Sequence, residues 1–92
     1  MKLIEIIGKE QMLLQTAEEA AELAQACLKL ARKINGKNPT PKTMDELMSN
    51  LEEEVADVSI CIEELELDAI KIFDWVDVKK ARMKERFGDV CD

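Results

Sequence analysis

Two short acidic segments carry the residue types and spacing that metal chemistry uses. The first runs Glu18-Glu19-Ala20-Ala21-Glu22 and the second runs Glu54-Val55-Ala56-Asp57. Residues three positions apart on an α-helix share one face, with Cβ atoms about 5–6 Å apart. Two such pairs on facing helices would form a carboxylate cluster, and packed like charges need a positive partner to be stable. A hard divalent cation that prefers oxygen ligands is the candidate partner.

The rest of the chain has the composition of one all-helical domain. It has 92 residues with only three glycines and two prolines, and its long runs of Ala, Leu, Glu, Lys and Met favour helix. We expect a single domain over residues 1–92, of marginal stability as a lone monomer. A short amphipathic segment ends at Gly8, and long helices follow over about 9–34, 44–66 and 69–87. Thr43-Met44-Asp45-Glu46 has the form of a capping box, which predicts the start of the second long helix.

The apolar residues predict which face of each long helix is buried. The first long helix should bury Leu13, Ala17, Ala21, Ala24, Leu28 and Ala31, widened by Met12, Leu23, Cys27, Leu30 and Ile34. The second should bury Leu47, Leu51, Val55, Val58, Ile62 and Leu65, with Glu54 on the margin. The last should bury Ile72, Val76 and Met83, with Lys79 and Arg86 inside or beside that face.

Composition excludes several classes of function. The formal net charge of −7 argues against a nucleic acid polymer as partner, because such a partner requires a basic surface. The absence of histidine argues against zinc sites and against di-iron bundle chemistry. No apolar stretch approaches the ~20 residues of a membrane span. The start of the chain lacks the features of a signal peptide, so we expect a cytoplasmic location.

The alternative, non-functional interpretation of the acidic segments is that they form solvated helix faces. A chain with 20 acidic residues contains such pairs by chance. Three features favour a site: Glu54 borders an apolar stripe, one loop joins the two helices so that they can face each other, and the third helix brings basic residues to its inward side. Snorkelling or structural ion pairs are the alternative roles of Lys79 and Arg86.

The two segments together resemble the EExxE…ExxD signature of the MazG-like all-α nucleoside triphosphate pyrophosphohydrolases. The resemblance extends to the flanking residues 15–23 and 51–58, and the basic segment 79–87 is similar to the last helix of small family members. It implies an antiparallel helical bundle that assembles as a homodimer or a dimer of dimers. The interval between Glu22 and Glu54 is longer than in many members of the family.

The resemblance also implies an activity and its residues. It implies Mg²⁺-dependent hydrolysis between the α and β phosphates of a nucleotide, with Mn²⁺ as the alternative ion. Glu19, Glu22, Glu54 and Asp57 would be the metal ligands, and Glu18 would bind or activate a metal-linked water. The predicted substrate contacts are Lys79, Arg82 and Arg86 to phosphates, with Gln15 a candidate for the sugar or base.

Two other functions stay open at this point. Phosphoribosyl-ATP pyrophosphohydrolase has similar acidic helices and a different substrate. A non-catalytic helical assembly module would keep the fold without turnover. A housekeeping enzyme of the nucleotide pool is the favoured interpretation.

Overall fold

The described part of the chain folds into four α-helices. The computed structural model describes residues 1–36 and 40–88, and this part of the chain contains no β-strand. The helices are α1 (Leu3–Ile7), α2 (Lys9–Asn35), α3 (Met44–Glu64) and α4 (Ala69–Phe87). The all-helical class and the order of the predicted helices are therefore confirmed. Residues 37–39, in the predicted loop between the first two long helices, lie outside the described residues.

Local sequence explains where the helices begin and end. Gly8 separates α1 from α2 with φ 88°, a value that favours glycine because it has no Cβ. The Thr43 hydroxyl accepts from the Glu46 backbone N–H at 3.1 Å, and the Glu46 carboxylate accepts from the Thr43 N–H at 3.1 Å. Asp68 caps α4 by accepting from the Lys71 N–H at 3.1 Å. These contacts confirm the predicted capping box and the predicted start of α4.

Helices α2 and α3 pack against each other along one seam, and this pair is the core of the chain. The buried and half-buried residues of each helix recur at steps of four and three, which is the spacing of a coiled-coil seam. On α2 they include Met12, Thr16, Glu19, Leu23, Ala26 and Leu30, and on α3 they include Leu47, Leu51, Glu54, Val58, Cys61 and Leu65. Early α2 residues meet late α3 residues, so the two helices are antiparallel.

The packed faces overlap the predicted ones but are rotated from them, since residues such as Leu23, Leu47 and Val58 lie in the seam as predicted whereas others do not. On α2 the centre of the predicted face is exposed, as at Leu13 and Leu28, whereas Met12 and Leu30 are buried. The Leu13 face is rich in alanine and apolar, but α3 does not cover it. On α3 the exposed residues include Val55 and Ile62, because Glu54 and Cys61 take their places in the seam. The sequence pattern found apolar faces without showing which of them α2 and α3 would share.

Helix α1 is tied to the far end of α3. The Ile4 backbone N–H donates to the Glu64 carboxylate at 2.9 Å. The Lys2 ammonium pairs with the Glu66 carboxylate at 2.8 Å. These two contacts hold α1 across the end of the seam, beside the early turns of α2.

Helix α4 shares no extended packed face with the other helices of the described chain. Each of its residues is exposed, although it carries the apolar stripe that was predicted to be buried. The radius of gyration is 16.7 Å and the extents are 43 × 37 × 17 Å. A compact domain of this length would have a radius of gyration of about 12 Å. The chain is therefore an open, flat arrangement.

None of the helices in the described residues is long and apolar enough to cross a membrane.

Candidate carboxylate site in the helix seam

Two carboxylates occupy positions in the seam where apolar side chains would be expected. Glu19 follows Thr16 and precedes Leu23 in the α2 series, and Glu54 lies between Leu51 and Val58 in the α3 series. Both glutamates are half-buried. A charged group at such a position loses hydration without gaining apolar contact, which costs free energy unless it is paired. Core packing therefore does not explain why Glu19 and Glu54 occupy these positions.

The seam brings three of the predicted metal ligands together. Glu19, Glu22 and Glu54 each offer a carboxylate oxygen, and these three oxygens lie within 4.8 Å of one another. Glu22 is on the exposed rim, one turn after Glu19. Asp57 is half-buried one turn after Glu54 and acts electrostatically on both half-buried glutamates. The carboxylates of the two helices therefore do converge.

Crowding raises the pKa of the two seam carboxylates. Loss of solvent contact is the largest cause of the raised pKa of Glu54, followed by the charges of Glu22, Asp57 and Glu19. Loss of solvent contact is also the largest cause for Glu19, whose pKa is raised further by Glu22 and Asp57. Both directions follow because burial and like charges disfavour the ionised form. The site thus has an excess of negative charge.

Hydrogen bonds satisfy only part of this cluster. The Gln15 side-chain amide donates to one oxygen of Glu19 at 3.0 Å. The other oxygen of Glu19 and one oxygen of Glu54 are buried and have no hydrogen-bond partner within residues 1–36 and 40–88. Buried polar atoms in native proteins nearly always have one. The donor set consists of hard carboxylate oxygens, which fits Mg²⁺ or Mn²⁺.

Two concavities adjoin the cluster on opposite sides. A polar groove of about 380 Å³ lies on the side of Glu22 and Glu54, with Gln25, Lys29, Lys42 and Asn50 along it. A smaller, apolar pocket of about 340 Å³ lies on the side of Glu19 and Asp57, with Gln15, Leu3, Ile7, Ile60 and Cys61 in its walls. The four carboxylates thus stand between a polar and an apolar cavity.

Two lysines near the cluster, Lys29 and Lys42, were not among the predicted site residues. Lys29 follows Glu22 by seven positions, which places both on one helix face two turns apart. That spacing was a usable signal for Lys29. Lys42 immediately precedes the Thr43 cap of α3, and only the fold places it beside α2.

Four other predicted site residues, Glu18, Lys79, Arg82 and Arg86, are not among the converging carboxylates or their hydrogen-bond partners. Glu18 is exposed on α2 and is not among the three converging carboxylates. The three basic residues of α4 are exposed, and within the described residues none forms an ion pair with the cluster. The Arg86 guanidinium lies 5.8 Å from the ring centre of Phe87. The predicted approach of Lys79, Arg82 and Arg86 to the carboxylates does not occur within one copy of the chain.

The four carboxylates define a candidate site whose two ends differ. The polar groove lies at one end and the apolar pocket at the other. No family model matches this chain, and no curated protein or solved structure matches it.

Proposed function

We propose that the chain is a Mg²⁺-dependent nucleoside triphosphate pyrophosphohydrolase of MazG-like type, which releases a nucleoside monophosphate and pyrophosphate. One observation carries this proposal. Glu19 and Glu54 occupy core positions of the seam, and their oxygens lie within 4.8 Å of each other and of Glu22. Packing for stability alone would favour apolar residues at both positions. A bound divalent cation would provide the positive charge that these crowded carboxylates lack.

The proposed roles belong to the four carboxylates of the cluster and to the neighbouring Glu18. Glu19, Glu22 and Glu54 would hold the cation, with Asp57 completing the acidic surround. When bound, Mg²⁺ polarises a phosphoryl oxygen and offsets the charge that develops on the phosphates. Glu18 is exposed one residue before Glu19 and would accept the proton of the attacking water. Gln15 already orients Glu19, so its part in contacting the sugar or base would add to a positioning role.

A second copy of the chain is the proposed partner. Helix α3 carries a further apolar stripe, exposed at Met44, Met48, Val55 and Ile62. The exposed stripe of α4 consists of Ile72, Val76, Met83 and Phe87. Helix α3 contains eight acidic and no basic residues, whereas α4 contains six basic and three acidic residues. Opposite charges beside two uncovered apolar stripes favour packing of α4 from one copy on α3 of another.

This assembly would also give the α4 cations a role. Lys79 follows Val76 by three residues, and Arg86 follows Met83 by three, so both lie beside the α4 stripe. Arg82 lies three residues after Lys79 and four before Arg86, on the same flank. Packing of α4 on α3 of another copy would carry these cations toward the acidic helix of that copy. We therefore propose that Lys79, Arg82 and Arg86 contact the phosphates from the second copy. The proposed assembly is a homodimer or a dimer of dimers.

A pyrophosphate-release assay tests the activity. The wild-type chain is incubated with Mg²⁺ and a panel of NTPs, dNTPs and phosphoribosyl-ATP. Release should be lost in Glu54→Gln and kept in Glu10→Gln, which makes the same charge change at an exposed residue in the first turn of α2. Circular dichroism checks that both variants are folded.

Each other outcome selects a different function. Release from phosphoribosyl-ATP alone would select the related pyrophosphohydrolase of that substrate. A folded oligomer that releases no pyrophosphate from any member of the panel would identify an assembly module. Equal release by wild type and Glu54→Gln would show that the carboxylate cluster is not the active site.

A further inference from the structure

The two cavities beside the carboxylates differ in chemistry in the way the two halves of a nucleotide do. The polar groove runs from Glu22, Glu53 and Glu54 to Lys29 and Lys42, and the Gln25 and Asn50 amides also line it. Glu22 and Lys29 are about 10 Å apart along the helix axis at 1.5 Å per residue. The groove therefore has an acidic end and a basic end at a separation on the scale of a phosphate chain.

The two groove lysines are available for a ligand. Among the described residues, neither the Lys29 nor the Lys42 ammonium forms an ion pair with a carboxylate, although the charge of Lys42 contributes to the lowered pKa of Glu46. Both side chains are exposed, so they are free to move onto an anion in the groove. The groove floor consists of Ala26 and Leu47, which are 9% and 3% exposed. The small side chain of Ala26 leaves the groove open to a ligand above it.

In the part of the chain that the structure describes, no cation lines the pocket on the other side. Leu3 and Ile7 of α1 and Ile60 of α3 give it an apolar lining, and the Gln15 amide lies at its acidic edge. Apolar walls with one or two hydrogen-bonding groups are typical of sites for the flat, partly polar rings of small ligands. A phosphate would lack a positively charged partner there among the described residues.

We propose that a nucleotide lies across the carboxylate cluster in one orientation, with its β and γ phosphates on Lys29 and Lys42 and its nucleoside in the pocket under α1. This orientation rests on the proposed hydrolase function and adds a direction to it. In the reaction, the oxygen of water bonds to the α phosphorus and the bond from that phosphorus to the bridging oxygen breaks. The proton of the water goes to Glu18, and pyrophosphate leaves toward the two lysines.

The orientation assigns the two products to different ends of the site, so their binding can be separated. Calorimetry with Mg²⁺ present would measure the affinity of inorganic pyrophosphate and of nucleoside monophosphates separately. Lys29→Gln/Lys42→Gln should weaken pyrophosphate binding about 10- to 100-fold, because two charge-assisted contacts are lost. The same variant should change nucleoside monophosphate binding less than about threefold. Both substitutions are on exposed residues, so the fold should persist.

A variant at the other end should show the opposite pattern. Ile60 is 57% exposed on α3, and Ile60→Ser should weaken monophosphate binding about 3- to 10-fold while leaving pyrophosphate binding unchanged. Two control variants match these changes. Lys9→Gln/Lys71→Gln removes the same charge at positions outside both cavities, and Ile70→Ser makes the same apolar loss on α4 at a residue that is 77% exposed.

The outcomes separate this orientation from the function on which it rests. If wild type releases pyrophosphate but the lysine variant keeps its pyrophosphate affinity, the orientation is overturned and the hydrolase stands. If wild type binds pyrophosphate through the lysines but hydrolyses nothing, the groove is supported and the hydrolase is overturned. If the lysine variant loses monophosphate affinity as strongly as pyrophosphate affinity, the two ends are not distinct and the orientation is overturned.

Discussion

The exposed stripe of α4 provides a test of the proposed assembly with an internal control. Ile72 and Val76 lie within the stripe and are 41% and 38% exposed. Ile70 and Val78 lie on the same helix about 160° away at 100° per residue. They are also exposed, at 77% and 42%. The variants Ile72→Ser/Val76→Ser and Ile70→Ser/Val78→Ser therefore remove the same atoms from the same helix on different faces.

The exposed fractions set the size of the expected effect. Complete burial of a valine or isoleucine side chain contributes about 1.5–3 kcal/mol. About two-fifths of each stripe side chain remains for a partner to cover, which corresponds to roughly 0.6–1.2 kcal/mol. A symmetric dimer contains four such side chains, so the double variant should weaken it by about 2–5 kcal/mol, or roughly 50- to 3,000-fold in Kd.

Sedimentation velocity over a dilution series measures this Kd, and circular dichroism confirms helix content. The stripe variant should dissociate at concentrations where wild type and the Ile70→Ser/Val78→Ser control remain oligomeric. Equal dissociation of both variants would refute the assignment of the interface to the stripe. A wild-type chain that is monomeric at every concentration would refute the assembly itself.

Three further outcomes follow from the seam and its carboxylates. Because the pKa values of Glu19 and Glu54 are raised in the folded chain, the metal-free protein should lose stability as pH rises from 4.5 through those raised values. Thermal melts should show that Glu54→Gln loses less stability than wild type over this range. Stability profiles of wild type and variant that run parallel against pH would contradict this. Mg²⁺ at about 100 times its Kd should stabilise the wild type by about 2.7 kcal/mol at neutral pH, an effect that EDTA should reverse and Glu19→Gln should abolish; an unchanged melting temperature would argue against metal binding. Leu47→Ala should cost about 2–5 kcal/mol in urea denaturation because Leu47 is 3% exposed, and a loss below about 1 kcal/mol would show that the seam is loosely packed.

Features that depend on neighbouring residues in the sequence were predictable. The Thr43–Glu46 capping box, the Asp68 cap and the break at Gly8 each depend on a few adjacent residues, and the structure contains all three. The convergence of Glu19, Glu22 and Glu54 was also anticipated, because the spacing on each helix fixes which carboxylates share a face. Local geometry was sufficient for the caps and the break, whereas the convergence of the carboxylates also required α2 and α3 to face each other.

Features that depend on a choice between apolar faces were not predictable. Val55 and Glu54 are adjacent, and a rotation of α3 by one residue decides which of them enters the seam. The apolar pattern favoured Val55, whereas the structure places Glu54 there. The same ambiguity affects α4, whose stripe marks a buried face without stating which molecule covers it. Periodicity identifies an apolar face but carries no information about its partner.

The two glutamates in the seam also bear on how this sequence would change under selection. A chain kept only for assembly would gain stability whenever Glu19 or Glu54 mutated to leucine, since an apolar side chain fits the seam better than a crowded carboxylate. Such substitutions would be neutral or beneficial, and both positions would drift toward apolar residues. Retention of both carboxylates would require purifying selection for a ligand. A library with random residues at positions 19 and 54, sorted once for stability and once for activity, should enrich opposite residue types.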